Sequence, residues 1–556
     1  MTARRLVSFC YEWLTHSPWT ALLAGVPLVA LGMAGFPMYF REDDINWLTV
    51  ASRPSIWGAI EPEALREIAY YRPTASLVWW CIYQIWGPIQ EPYQVALVIS
   101  GASAVVFLYL LVEYCVDAWA AVLSVAAFYG LFFFTFNFLF WTGNLVLSLE
   151  IGLALPALYF IVRGVREARI DLLSVGILTA MAAFFAKDPS RGFVPITFFL
   201  LALWMRRQGR GQALSIGVTL LLLSMAFLPY VIGPYGMVED PLEISTARFA
   251  ERWSFYASQV FEFHAGAVML WLIAFRGIRL ILGALGLSRA KVTAAAGATI
   301  LAVLGQMAPS AGLGMVVPLA AIGLLGEWRL AAFAAWAAAC FLPLLFFYYQ
   351  STTLLVETCL GAAALVGIVA RMEAGHVICD PEEWLDRPIP VAIGLSVSVI
   401  LLVGVAGFGH VGRNLLGQVQ DLKHVRHGFQ QAVDYLVEQV PPNGSIGVLH
   451  YGEWGMPTGL QVKAGSRREK INRMKTMSGA QLLRFFGILG RPDLRVARLS
   501  ELHDDEDFVF LMSPFESHIA NDSLRVRGYE PVRNFENRAT ILRLHRRSIT
   551  EEDYHK

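Results

Sequence analysis

Charge is scarce in this sequence. Asp, Glu, Lys and Arg make up 16% of its 556 residues and hydrophobic types 56%, where soluble domains run at about 25% charged and about 45–50% apolar. That balance excludes a conventional soluble enzyme. An excess of either sign is also missing. The 44 basic side chains meet 44 acidic ones, so the chain lacks the field that neutralises a nucleic-acid backbone, and no nucleic-acid partner is expected. Cysteine is sparse. Its six positions, Cys10, Cys81, Cys115, Cys340, Cys359 and Cys379, lie mostly within or beside apolar runs without metal-ligand spacing, which argues against a disulfide framework and a zinc site. Internal repeats and low-complexity tracts are absent.

What the chain does have is long apolar runs, unevenly distributed. Residues 410–556 hold 21 of the basic and 18 of the acidic groups, an ordinary soluble density, which leaves 23 and 26 for residues 1–409. Two domains follow: a transmembrane domain over 1–409 and a soluble domain over 410–556. A helix crosses the ~30 Å hydrocarbon core with about 20 residues. On that scale the spans read Trp19–Phe40, Tyr93–Leu111, Ala118–Phe136, Asn144–Val162, Leu172–Ala186, Phe193–Trp204, Ala213–Ile232, Ala265–Leu285, Val292–Met307, Met315–Gly326, Leu330–Tyr348, Thr352–Ala370 and Val391–Phe408. The eighth contains Arg276 and Arg279, and the ninth and tenth are short and interrupted around Pro309 and Pro318.

Cytoplasmic loops carry the basic excess in membrane proteins. With the N-terminus inside, fifteen Lys and Arg fall on the inner side, among them Arg163, Arg166, Arg207, Arg276, Arg329 and Arg371, against eight on the outer side of the membrane domain. The expected protein is multi-pass in the plasma or inner membrane, with a cytoplasmic N-terminus. An odd number of spans then puts the C-terminal domain on the extracytoplasmic or periplasmic side. Of the outer loops, Arg41 to Pro92 and Ile232 to His264 are the longest, and Ser76–Trp86 is aromatic enough to lie in the headgroup region.

The C-terminal domain opens with apolar residues at three- and four-residue spacing from Leu415 to Val440, an amphipathic helix ended by Pro441 and Pro442. Short apolar runs at Ser445–Leu449, Phe508–Met512 and Thr540–Leu544, with a helical stretch Ala480–Leu489 between, predict a small α/β fold. It contains no phosphate-binding loop, dinucleotide fingerprint or nucleophile elbow.

Three groups of residues could carry chemistry at the outer face. Arg41-Glu42-Asp43-Asp44 follows the first span; adjacent carboxylates beside a bilayer repel, which raises the proton affinity of one and suits it to act as a base. The same acids could instead open a helix with Ile45-Asn46-Trp47-Leu48. Tyr70-Tyr71-Arg72-Pro73 and Lys187-Asp188-Pro189-Ser190-Arg191 keep basic side chains where such residues are depleted, as an anion in the outer leaflet would require. Local pairing, Lys187 with Asp188 or Arg72 with Glu67, is the plainer alternative. Glu150, two turns into the fourth span, is a candidate to face a cavity or to pair with a neighbouring helix. Tyr71 and Arg252 are further cavity candidates.

Taken in order, these residues resemble the GT-C membrane glycosyltransferases: an acidic pair after the first span, an aromatic-Arg-Pro segment entering an interfacial helix, and a Lys-acid pair heading a later span with Pro195 beyond it. The likeness covers roughly residues 19–205 and is strongest to protein O-mannosyltransferases and bacterial lipid A aminoarabinose transferases. This sequence has Asp43-Asp44 where those families carry Asp-Glu. The resemblance implies a GT-C-type polytopic α-helical membrane protein of about thirteen transmembrane helices with a C-terminal extracytoplasmic α/β domain. It implies transfer of a sugar from a polyprenyl phosphate to an acceptor hydroxyl on a glycan, lipid or protein, with inversion. Asp43 would be the base with Asp44 assisting, and Arg72, Lys187 and Arg191 would hold the donor phosphate. No cofactor is required, and no metal site is expected. The competing readings are a multi-pass transporter or flippase and a polysaccharide polymerase for lipid-linked glycans.

Overall fold

The computed structural model describes residues 18–36, 40, 43–61, 72–187, 189–226, 246–262, 265–287, 289–308, 316–325, 327–345, 355–374, 427–428, 430–448, 479–498, 508–511, 529–535 and 539–544. Its helices run α1 Pro18–Ala34, α2 Asp43–Ala51, α3 Ile56–Ile60, α4 Pro73–Trp86, α5 Gln90–Cys115, α6 Ala118–Leu131, α7 Leu145–Glu167 and α8 Ile170–Phe184. They continue as α9 Pro189–Arg207, α10 Gln212–Ala226, α11 Thr246–Glu262, α12 Ala265–Ala284, α13 Ala290–Met307, α14 Val316–Leu324, α15 Trp328–Leu344 and α16 Val356–Ala374. A helix over 430–439 is α17, and Gly479–Ile488 is α18. The strands are β1 Ser445–Val448, β2 Arg495–Arg498, β3 Phe508–Leu511, β4 Tyr529–Phe535 and β5 Ala539–Leu544.

Contacts divide the chain into two compact units. One comprises Met1–Ala34, Ala69–Ala75 and Ala96–Asn414; the other comprises Gly35–Ile68, Ser76–Val95 and Leu415–Lys556. The second unit therefore groups most of the first long loop with the C-terminal segment.

Among the described residues, Gln90–Cys115, Thr142–Glu167 and Gly266–Ala284 are long and apolar enough to cross a membrane, and there are six shorter apolar helices. Twelve of the thirteen expected spans have a helix at their position; Val391–Phe408 lies outside the described residues. The third is corrected. Its helix stops at Leu131 and a 3-10 stretch, Phe133–Phe140, follows. Thr135 Oγ1 bonds back to the Phe132 carbonyl at 2.8 Å and Asn144 Nδ2 donates to the Phe138 carbonyl at 3.1 Å, so side chains satisfy backbone groups that a continuous helix would have paired.

Arg276 and Arg279 do not interrupt α12. Arg276 holds Glu327, with its Nε at 3.0 Å from Oε2, and Glu373 at 2.7 Å, while Arg279 reaches Glu373 at 2.8 Å. Nearby ends are tied in the same way. Arg371 pairs with Asp117 at 2.7 Å, and Arg166 and Arg329 both lie over Trp204, at 5.3 and 5.5 Å from the ring centre. Arg166 and Arg329 also donate to the carbonyls of Tyr114 and Cys115. Arginines assigned to one side by the loop count thus share one end of the helical unit, neutralised by acids or spread over aromatic faces.

In the second unit, the strands form one sheet in the order β2-β1-β3-β5-β4. β1 pairs in parallel with β2 and β3, and the β3–β5 and β5–β4 pairs are antiparallel. Pro531 falls in β4, at the sheet edge and next to a register shift, the place where a residue without an N–H does least harm. The end of α17 is clasped by Arg491, whose Nη2 donates to the Val440 carbonyl at 2.9 Å and whose Nη1 donates to that of Val437. Asp493 pairs with Arg491 at 3.0 Å and accepts the Asn443 N–H at 3.1 Å.

Arg491 holds the Asp493 carboxyl down to about 2. A carboxyl depressed by folding stabilises fully above its unfolded value near 3.8 and loses that contribution as pH falls toward about 2. The melting-temperature gap between wild type and Asp493→Asn is therefore expected to be full at pH 5 and to close on acidification toward pH ~2. A gap that does not change with pH would show that the ion pair contributes nothing.

Candidate active site

The best-formed polar cluster lies where α8 ends and α9 begins. α9 starts at Pro189, which tolerates the first helical position because its missing N–H would be unpaired there anyway. The next N–H, that of Ser190, donates to Glu150 Oε1 at 2.5 Å. A carboxylate thereby sits against the positive end of α9. Ser190 Oγ lies 2.9 Å from the carbonyl oxygens of Ala183, in the last turn of α8, and of Lys187, as a donor shared between them. α9 is anchored below this point by Phe193, whose ring stacks on Trp336 of α15 at 5.2 Å.

Lys187 Nζ lies 2.8 Å from Glu357 Oε1 and 3.8 Å from Glu150 Oε2. The side chains are nearly dry, at 11% exposure for the lysine, 0% for Glu150 and 2% for Glu357. Burial lowers the proton affinity of Lys187, but Glu357 and Glu150 raise it by more, against a smaller opposing effect of Arg72, and the net result is upward. The ammonium is held charged, in the position a cation between two carboxylates would take. Close helix packing sets Glu150 in place: two residues on, a Cβ on Gly152 would come within 2.5 Å of the Ser100 carbonyl oxygen, so α5 and α7 touch backbone to backbone.

Two arginines complete the cationic group. Arg191 is buried, with Nε donating to the Phe184 carbonyl at 2.7 Å. Arg72 precedes α4, and the Thr74 N–H donates to the Phe185 carbonyl at 3.2 Å, which lays this segment along residues 184–187. Four of the expected residues, Arg72, Glu150, Lys187 and Arg191, are thus brought together around one connection. Glu357 was missed by sequence reasoning. Its only signal was an acid one turn inside an apolar span.

Asp43 and Asp44 belong to the second unit and stand in the first turn of α2, so the helix-opening role foreseen for them is one they do fill. Asp44 is fully buried. α2 is bedded on aromatic rings: Trp47 stacks on Trp79 at 6.1 Å, Trp79 meets Tyr93 at 4.6 Å, and Tyr93 meets Phe40 at 5.5 Å. Trp80 Nε1 donates to the Arg53 carbonyl just beyond the end of α2 at 3.0 Å.

Tyr71, and with it Asp188 and Glu67 of the local-pairing alternative, lies outside the described residues. Arg252 is buried on α11, 3.7 Å from Glu251. Among the described residues, no three His, Cys, Asp or Glu side chains are grouped as metal ligands would be.

By sequence, no protein-family model and no curated protein matches the chain. By structure, ArnT from Cupriavidus metallidurans in the apo state matches with a TM-score of 0.50 at 14% identity, covering 94% of this chain and 97% of that one. The chain has the fold of ArnT. A second structure of ArnT, bound to undecaprenyl phosphate, aligns with a TM-score of 0.44 at 14% identity over 96% of this chain and 99% of the other. The likeness to apo ArnT extends over most of the chain, where the sequence resemblance covered roughly residues 19–205.

Proposed function

We propose that the protein is an integral membrane glycosyltransferase that moves a sugar from a polyprenyl phosphate to an acceptor hydroxyl. The observation that carries this reading is the gathering of Arg72, Lys187 and Arg191 around the N-terminal end of α9, in a chain with the ArnT fold. Converging guanidinium and ammonium groups are suited to a phosphate.

Phosphate is a good leaving group, so the reaction needs no general acid, unlike glycoside hydrolysis with its two carboxyls. One base and a cationic clamp suffice. The Asp43-Asp44 pair takes the acceptor proton as the hydroxyl attacks the anomeric carbon, with inversion, and the cations stabilise charge on the departing phosphate. Within the clamp the roles divide. Lys187, which pairs with Glu357 and Glu150, also braces the connection, and Arg72 and Arg191 complete the phosphate site.

The test is binding of undecaprenyl phosphate against undecaprenol to purified protein. Wild type should prefer the phosphate, and Arg72→Ala should weaken its binding by about tenfold or more, the worth of one hydrogen bond to a charged group. Equal affinity for alcohol and phosphate would remove the clamp.

A further inference from the structure

The C-terminal segment reaches back to the helix that bears the acid pair. Arg484 on α18 donates from Nη1 to Asn46 Oδ1 on α2 at 3.1 Å, across 438 positions of sequence. The neighbouring Phe485 is 1% exposed and meets Phe40, just ahead of α2, edge-on at 6.5 Å. α18 packs against both α2 and β2, so it connects the sheet to the acid-bearing helix. Leu482, Phe485 and Phe486 are all buried along it.

α2 needs such support. It has nine residues, and helices shorter than about 12–15 residues are marginal on their own in water. Trp47 fixes one side through Trp79. Asn46 lies about 100° away around the helix axis and three residues from Asp43, so it shares a face with that acid. Arg484 grips that face. We propose that the C-terminal α/β segment is a positioning device for the acid pair, with Arg484 and Phe485 of α18 holding α2, and through it Asp43 and Asp44, in working orientation. The positioning role rests on the glycosyltransferase reading, but the grip on α2 can be measured without it.

The experiment compares full-length wild type with Arg484→Ala, Arg484→Lys, Asn46→Ala and the Asn46→Ala/Arg484→Ala double variant. Hydrogen exchange of residues 43–51 and steady-state transfer are both read. Arg484→Ala should speed exchange in α2 by about tenfold or more, with exchange in α5 and α7 unchanged. It should lower kcat by about 10–100-fold, as expected for a small misplacement of a reacting group, and leave the donor KM unchanged. Arg484→Lys should restore part of both, and the double variant should be no worse than either single one. Unchanged exchange in α2, or faster exchange with full activity, would overturn the proposal. A wild type that transfers no sugar would count against the enzymatic reading and the positioning role together, while the exchange data would still decide whether α18 holds α2.

Discussion

Replacing Asp43 or Asp44 by Asn is expected to lower sugar transfer by about 10²–10⁴-fold, the range for losing a positioned general base. Asparagine keeps the size of aspartate, so it fills the same place in the first turn of α2 and gives up only the charge that a helix N-terminus favours, worth about 0.3–1 kcal/mol. Both variants should therefore stay folded, Asp43→Asn with a melting temperature near wild type, while kcat falls and the donor KM does not. The two positions should separate. Asp43 matches the family position of the base and should show the larger loss in rate. Asp44 is fully buried at the helix start, and its substitution should affect stability as well as rate. Turnover that survives both substitutions would move the base elsewhere in the chain.

The second large effect concerns the buried triad. Lys187→Met removes the ammonium and leaves the Glu150 and Glu357 carboxyls, at 0% and 2% exposure, without their shared counter-charge. Breaking a buried pair in this way costs about 3–5 kcal/mol. The charges, and not the lost packing, are the cause, so a second substitution should repair part of the damage: Lys187→Met with Glu357→Gln should be more stable than Lys187→Met alone. Transfer should remain impaired, because the α8–α9 connection that orients Arg72 and Arg191 loses its brace. Unfolding of the two single variants and the double variant in detergent would show this as a non-additive cycle. Additive losses would mean that the three groups do not act on one another.

How much of this was legible in the sequence depends on range. Apolar runs of membrane length are local features, and the helices stand where the runs do, with ends shifted by a few residues. The 3-10 stretch at Phe133–Phe140 was not legible because its composition is as apolar as the helix before it; only the bonds of Thr135 and Asn144 distinguish it. Strand β2, Arg-Val-Ala-Arg, is short and half charged, and β4 contains Pro531, so neither resembles a buried strand until the sheet surrounds it. Arg276 and Arg279 looked like a weakness in a span because Glu327 and Glu373 are far away in sequence. At the site, Lys187 was legible as a cation on the depleted side. Its partner Glu357, 170 residues on, was not, nor was Arg484, whose side chain reads as an ordinary solvated charge until α18 is seen against α2.

Sugar transfer from a lipid phosphate is tested by incubating purified wild type with a panel of polyprenyl-phosphate sugars and membrane extract, and counting polyprenyl phosphate released per enzyme molecule. Wild type should make many turnovers with at least one donor, and an Asp43→Asn/Asp44→Asn double variant that is still folded should make almost none. No release with any donor, or release that the double variant retains, would contradict it, and movement of the lipid-linked sugar across proteoliposomes without transfer would make the protein a transporter instead.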